Sequence, residues 1–202
     1  AWNKSITRML FEVLEILAQQ IEAYTGKTTS LANVAFLEEG QSNTFDDSVV
    51  VSLVNLSEEN TMKNWPNHKV VNGKNLLKQP IINLNLYVMF CANFGPTKYP
   101  TEITTLSKII EFFQGKKVFT QSNTVYDHST DPTNPLRALD NFKIHVELYT
   151  PTFEEQSYIW GSLGGKQRPS AIYKVSVIQV ESAAVLSQSG AIGESGQNLN
   201  RT

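Results

Sequence analysis

Three residue types that together perform acyl transfer stand side by side in this chain, as Asp127-His128-Ser129. A nucleophile–base–acid relay needs side chains brought from separate elements and aimed at one another. Consecutive residues of a loop cannot do this. His145 and Glu147 are two apart on an expected strand and share one face, which could make them half of a metal or acid–base site. No second His or Cys stands at ligand spacing from them, so a solvated strand face is the better reading.

The run Gly161-Ser162-Leu163-Gly164-Gly165-Lys166 invites comparison with a phosphate-binding loop. Trp160 stands where the first glycine of G-x-x-x-x-G-K belongs, and Gln167 replaces the hydroxyl residue that would hold magnesium. The run also follows an expected helix and precedes a strand, so it meets the helix end that repels phosphate. A glycine helix stop and a turn account for it. Glu58-Glu59 and Glu154-Glu155 are adjacent pairs whose side chains diverge, so neither makes a carboxylate dyad. Cys91, the single cysteine, sits in an apolar strand and reads as a small core residue. Trp65 and Trp160 suit the core or an interface. The expectation is therefore no catalytic residue, no metal ligand set and no cofactor. Uncharged polar residues on strands, Asn83 and Asn85 above all, suggest a surface that bonds another protein.

The elements behind these residues follow from periodicity. Ile6, Met9, Leu10, Val13, Leu14, Leu17 and Ile21 recur at three- and four-residue steps, predicting a helix over 5–24 that Gly26 stops. Strands are expected at 31–37 and 49–56, the second apolar on both faces and so internal. Asn72-Gly73 between short apolar pairs predicts a tight hairpin. Residues 81–94 alternate as a long strand with Ile82, Leu84, Leu86, Val88 and Phe90 on the core face. A helix over 100–114 has Ile103, Leu106, Ile109, Ile110 and Phe113 as its stripe, with Pro100 at its start. The polar stretch 120–135 reads as a loop. Residues 142–149 form a strand with Phe142, Ile144, Val146 and Leu148 inward. A short helix begins at Thr152, which has capping-box spacing to Glu155, and Phe153, Ile159, Trp160 and Leu163 supply its apolar contacts. The last strand spans 170–180, with a bulge or partner-exposed end where Ile178 and Val180 break the alternation. The pattern gives an α/β (α+β) fold: a mixed, largely antiparallel sheet packed with about three helices.

Composition sets the limits. The chain has 202 residues, a formal charge of −2 and a pI near 6.0, so it lacks the basic excess of a nucleic-acid or anionic-membrane binder. No apolar stretch reaches the roughly 18 residues of a membrane span. One cysteine makes no internal disulfide. Residues 1–182 are expected to form one domain. Residues 183–202, rich in Ser, Gly, Gln and Asn, are expected to form a C-terminal arm, with Val185, Leu186, Ile192 and Leu199 as its anchors.

Four blocks taken together resemble a known family: Ser52-Leu53-Val54-Asn55 with Glu58-Glu59-Asn60; Leu84 to Tyr87 leading to Phe90-Cys91-Ala92-Asn93-Phe94; Ile109 to Lys116 leading to Val118-Phe119; and Glu147-Leu148-Tyr149 with Phe153-Glu154, Trp160 to Lys166, Pro169-Ser170 and Tyr173-Lys174-Val175. They look like the N-terminal domain of the tail-terminator (cap) proteins of extracellular contractile injection systems, such as antifeeding prophages and virulence cassettes. The resemblance covers roughly residues 5–181. It implies a non-catalytic ring, a homohexamer, that closes the inner tube and contractile sheath at the end away from the baseplate. The implied partners are other copies of the chain and the sheath and tube subunits, with no nucleic acid and no membrane. The implied place is the bacterial cytoplasm during assembly and then the particle. The alternatives are a neck or baseplate connector of the same particle, and a small-ligand-binding or hydrolytic domain built on loop 120–135.

Overall fold

The structure, a computed structural model, describes residues 9–37, 45–59, 68–71, 74–78, 82–125, 142–164, 166–180 and 185–190. Helix α1 is Met9–Thr25 and is followed by β1, Thr29–Leu31, and β2, Ser48–Glu58. Then come β3 (His68–Val71), β4 (Lys74–Lys78), β5 (Ile82–Asn93), α2 (Tyr99–Gly115) and β6 (Val118–Thr120). The chain continues with β7 (Lys143–Tyr149), α3 (Phe153–Ser162), β8 (Ser170–Val180) and β9 (Val185–Gly190). Six strands form one sheet in the order β1-β2-β5-β8-β7-β6, and three form a second in the order β3-β4-β9. Among the described residues β1 and β2 run parallel and the other strand pairs are antiparallel. This is the mixed α+β architecture expected from the pattern.

The six-stranded sheet is buried on both faces at its centre. On one, α1 and α2 lay Val13, Ile16, Leu17, Ile21, Ile109 and Phe113 against alternate residues of the strands, Val49, Val51, Leu86, Val88 and Phe90 among them. An aromatic group fixes the centre: Phe113 lies 4.6 Å from Tyr173 and 5.2 Å from Phe90, ring to ring. Each such side chain, taken from water, contributes about 1.5–3 kcal/mol. The opposite face holds Val50, Met89, Cys91 and Ile172 under Trp160 of α3 and Val34 and Leu37 of a 3-10 turn. The second face of β5 is therefore core, not the mixed surface its alternation suggested.

Local rules explain most boundaries. Gly26 takes φ 66° after α1, and Gly164 takes φ 101° just past α3, a backbone region that costs glycine little. The capping box at Thr152 forms, with the Glu155 N–H donating to Thr152 Oγ1 at 3.2 Å and the Thr152 N–H donating to Glu155 at 2.8 Å. Val71 pairs with Lys74 across the expected hairpin, whose Asn72-Gly73 lies outside the described residues. The β5–β8 register shifts between the Ile82–Val180 and Leu84–Val177 pairs, where the sequence loses its alternation.

Other expectations fail for physical reasons. The strand expected at 31–37 stops at Leu31, because Asn33 accepts the Ala35 N–H at 3.0 Å and caps the 3-10 turn Val34–Phe36. In α2 the buried stripe turns away from Ile103 and Ile110, both exposed, and takes in Glu102 and Thr105. Glu102 is drawn in by the buried Phe94 N–H, which donates to its Oε1 at 3.1 Å. Leu148 and Phe153, expected inward, are exposed, Phe153 to 92%. Ile6 and most of loop 120–135 lie outside the described residues.

Candidate assembly surface

The described residues bring no chemistry together. His145 Nδ1 lies 3.6 Å from Glu147 Oε1, but both side chains are open to solvent. No three His, Cys, Asp or Glu among the described residues could hold a metal ion. Burial pushes the Cys91 thiol from 9.0 up to about 12, which keeps it protonated and inert. Asp127-His128-Ser129 lies outside the described residues. The glycine run begins in the last turn of α3 and leads toward β8, the order that excludes a phosphate loop. A groove of about 310 Å³ opens between the end of α2 and β7, beside Ile110, Phe113, Leu148 and Tyr173. Desolvation raises Tyr173 to about 12, so its hydroxyl stays neutral.

What the fold does present is strand edges. β1 pairs with Val49, Val50 and Val51 only, and β6 pairs with Lys143, Ile144 and His145 only. The second sheet grows out of the first. Ile82 pairs with Val180 in the β5–β8 ladder, and Lys78 pairs with Val185 in the β4–β9 ladder, so the same two stretches of chain pair again after short interruptions. β3, β4 and β9 make their main contacts with one another. Within that sheet β3 and β9 are the outer strands.

The residues singled out from the sequence for partner contact fall in different places. Val185 begins β9 opposite Lys78, and Leu186 follows it on the same strand. Trp65, Ile192 and Leu199 lie outside the described residues. Asn83 is half-buried, and its carbonyl accepts the Glu59 N–H at 2.8 Å. Asn85 is buried and engaged within the chain: its Nδ2 donates to Glu59 at 2.7 Å, and its Oδ1 accepts from Ser176 at 2.7 Å. Lys174 closes this cluster 3.6 Å from Glu59. Pattern reading missed that 185–190 form a strand, because Ser, Gln and Gly dominate it. The available signal was indirect: β4 needed a partner on the side away from β3.

A model of the family described as the Pvc16 N-terminal domain matches residues 12–194. The chain belongs to the Pvc16 N-terminal domain family. The match reaches past β8 and takes in β9. Two solved structures share the fold. One is described as the sheath/tube terminator of an extracellular contractile injection system, PVC, in the extended state, with TM-score 0.63 and 12% identity. The other is the tube-terminating cap of the anti-feeding prophage, with TM-score 0.53 and 16% identity. Each covers 96% of this chain, which spans 64% and 61% of their lengths. Comparison with curated proteins gives no match. The tail-terminator resemblance carried by the four sequence blocks is thus the family found. Of the described residues, no helix is long and apolar enough to cross a membrane.

Proposed function

We propose that this domain caps a phage-tail-like contractile injection particle, closing the inner tube and sheath at the end distal to the baseplate. The observation that carries this reading is membership of the Pvc16 N-terminal domain family, together with a fold shared with a sheath/tube terminator and a tube-terminating cap. Its work is assembly, not catalysis. In support, the described polar groups are dispersed or engaged with one another.

The physical problem at the end of a polymer is a layer whose strand edges have no partner, and such edges invite further addition. A ring of six copies, assembled with the particle, satisfies a whole layer at once through closed symmetry. Strand addition supplies backbone hydrogen bonds for affinity and side-chain pockets for register. The outer strands β3 and β9 are the edges suited to this, with Val185, Leu186, Ile192 and Leu199 as apolar anchors and Trp65 and Asn83 as further contacts. Asn85, engaged with Glu59 and Ser176, holds the ladder that carries the arm.

Locating the labelled subunit on intact particles by electron microscopy tests the reading. One ring at the end away from the baseplate is expected. A position in the neck or baseplate would replace the cap with a connector. Deleting 183–202 should leave particles uncapped and variable in length; normally capped particles of normal length would remove the tail from the mechanism.

A further inference from the structure

The outer half of β2 is a strand edge with apolar flanks. β1 leaves β2 at Val51, and among the described residues no strand pairs with the outer side of Ser52–Ser57. The direction of the backbone groups there follows from the hydrogen bonds. The Val49 N–H donates outward to Thr28 at 2.8 Å, and the Val51 carbonyl accepts outward from Ala32 at 3.2 Å. The Glu59 N–H donates inward to Asn83 at 2.8 Å, so odd-numbered residues near this end face β5. The switch occurs at the register shift between Leu53 and Asn55, where Val54 is the extra residue. Leu53 and Leu56 therefore both turn their backbone groups outward, and their side chains are exposed to 38% and 43%. An edge of this kind is a template for pairing with another chain.

Two features stand against that pairing. The bulge at Val54 breaks the even spacing of outward groups that an incoming strand must match. The Leu56 N–H, an outward donor, is taken: it donates to Oδ1 of Asn55 at 2.8 Å. A carbonyl from an added strand would have to occupy the place where the Asn55 amide sits. We infer that Asn55 and the Val54 bulge close the outer edge of β2 to strand addition, so that Asn55 is a specificity determinant that confines pairing to other edges. The inference does not depend on the cap reading, and its test uses the isolated protein.

Asn55 is exposed, so replacing it leaves the core intact. In Asn55→Ala, the Leu56 amide should exchange with solvent about fivefold faster, the factor expected for one modest hydrogen bond. Sedimentation velocity should show species larger than those of the unmodified chain. Adding Leu53→Lys to Asn55→Ala should abolish those species, because a charge on the edge blocks pairing. Asn55→Asp, which keeps the acceptor, should behave as the unmodified chain in both measurements. Asn55→Ala with unchanged sedimentation overturns the inference. So does association that Leu53→Lys leaves intact, since it would then use another surface.

Discussion

The two sheets of this domain share two stretches of chain and little else. The six-stranded sheet is covered on both faces, by α1 and α2 on one side and by α3 and a 3-10 turn on the other. The three-stranded sheet is paired chiefly within itself. The first buries large apolar side chains on its helix-covered faces, and the second is joined by the β3–β4 and β4–β9 backbone ladders. Burial fixes stability, whereas a ladder with outer strands leaves hydrogen-bonding capacity for a neighbour. On the cap reading proposed above, the outer strands of the smaller sheet are the edges offered to a neighbour, apart from the core of the larger one.

The strongest way to sharpen that contrast is to strike the larger sheet's centre. Phe113 touches Phe90 and Tyr173, and Phe113→Ala should cost about 3–5 kcal/mol in chemical denaturation. A cost under about 1 kcal/mol, the range of surface changes, would mean the core is not where stability resides. Burial on the sheet's opposite face sets an alkaline limit. The Cys91 thiol titrates at 9.0 when unfolded and about 12 when folded, so the unfolded chain loses its proton first. Stability should be untouched below the unfolded value and fall as pH rises through this window. Burial of Tyr173 adds in the same direction from 10.0 upward. Cys91→Ala lacks this titration, so its denaturation midpoint should differ from that of the unmodified chain by a constant amount at neutral pH, and the difference should shift against the unmodified chain above 9.0. A constant difference throughout would refute the shift.

Asn85 lies in the larger sheet, paired with Ser57 and Ser176, toward the end of β5 and β8 that leads to the smaller ladder. Asn85→Ala removes the hydrogen bonds to Glu59 and Ser176 and should cost about 1–3 kcal/mol. A neutral outcome would place this cluster among dispensable surface contacts. Smaller still is Thr152→Ala, which removes the N-cap of α3 and should cost about 1 kcal/mol. An effect near that of Phe113→Ala would make α3 as central as α2.

The same contrast explains what could be read from sequence. Elements whose boundaries depend on local chemistry were legible: the capping box at Thr152, the pairing of β3 with β4 and the stop at Gly26 each act within a few residues. The family was legible because its blocks lie in the larger sheet. What failed depended on distant partners. Glu102 turned α2 because the Phe94 N–H needed an acceptor, and no periodicity reveals that. Asn85 looked like a surface residue because alternation cannot tell a sheet buried on both faces from one buried on a single face. β9 was hidden because its composition is polar and its strand identity comes from pairing with β4.

The smallest expected effect is the most discriminating. Ending the chain at residue 182 removes β9 and leaves β4 with β3 alone. If the smaller sheet opens and closes independently of the larger, global unfolding does not register its loss, because both end states have already lost or kept the same core. The unfolding free energy should then change by no more than about 0.5 kcal/mol. Amide exchange should accelerate in Lys74–Lys78 and stay unchanged in the β5–β8 ladder between Leu86 and Cys91. A loss of several kcal/mol, or faster exchange spreading through Leu86–Cys91, would show that the two sheets fold as one unit. In that case the tail would be part of the core, and the defect in capping expected from its deletion could no longer be credited to a missing edge.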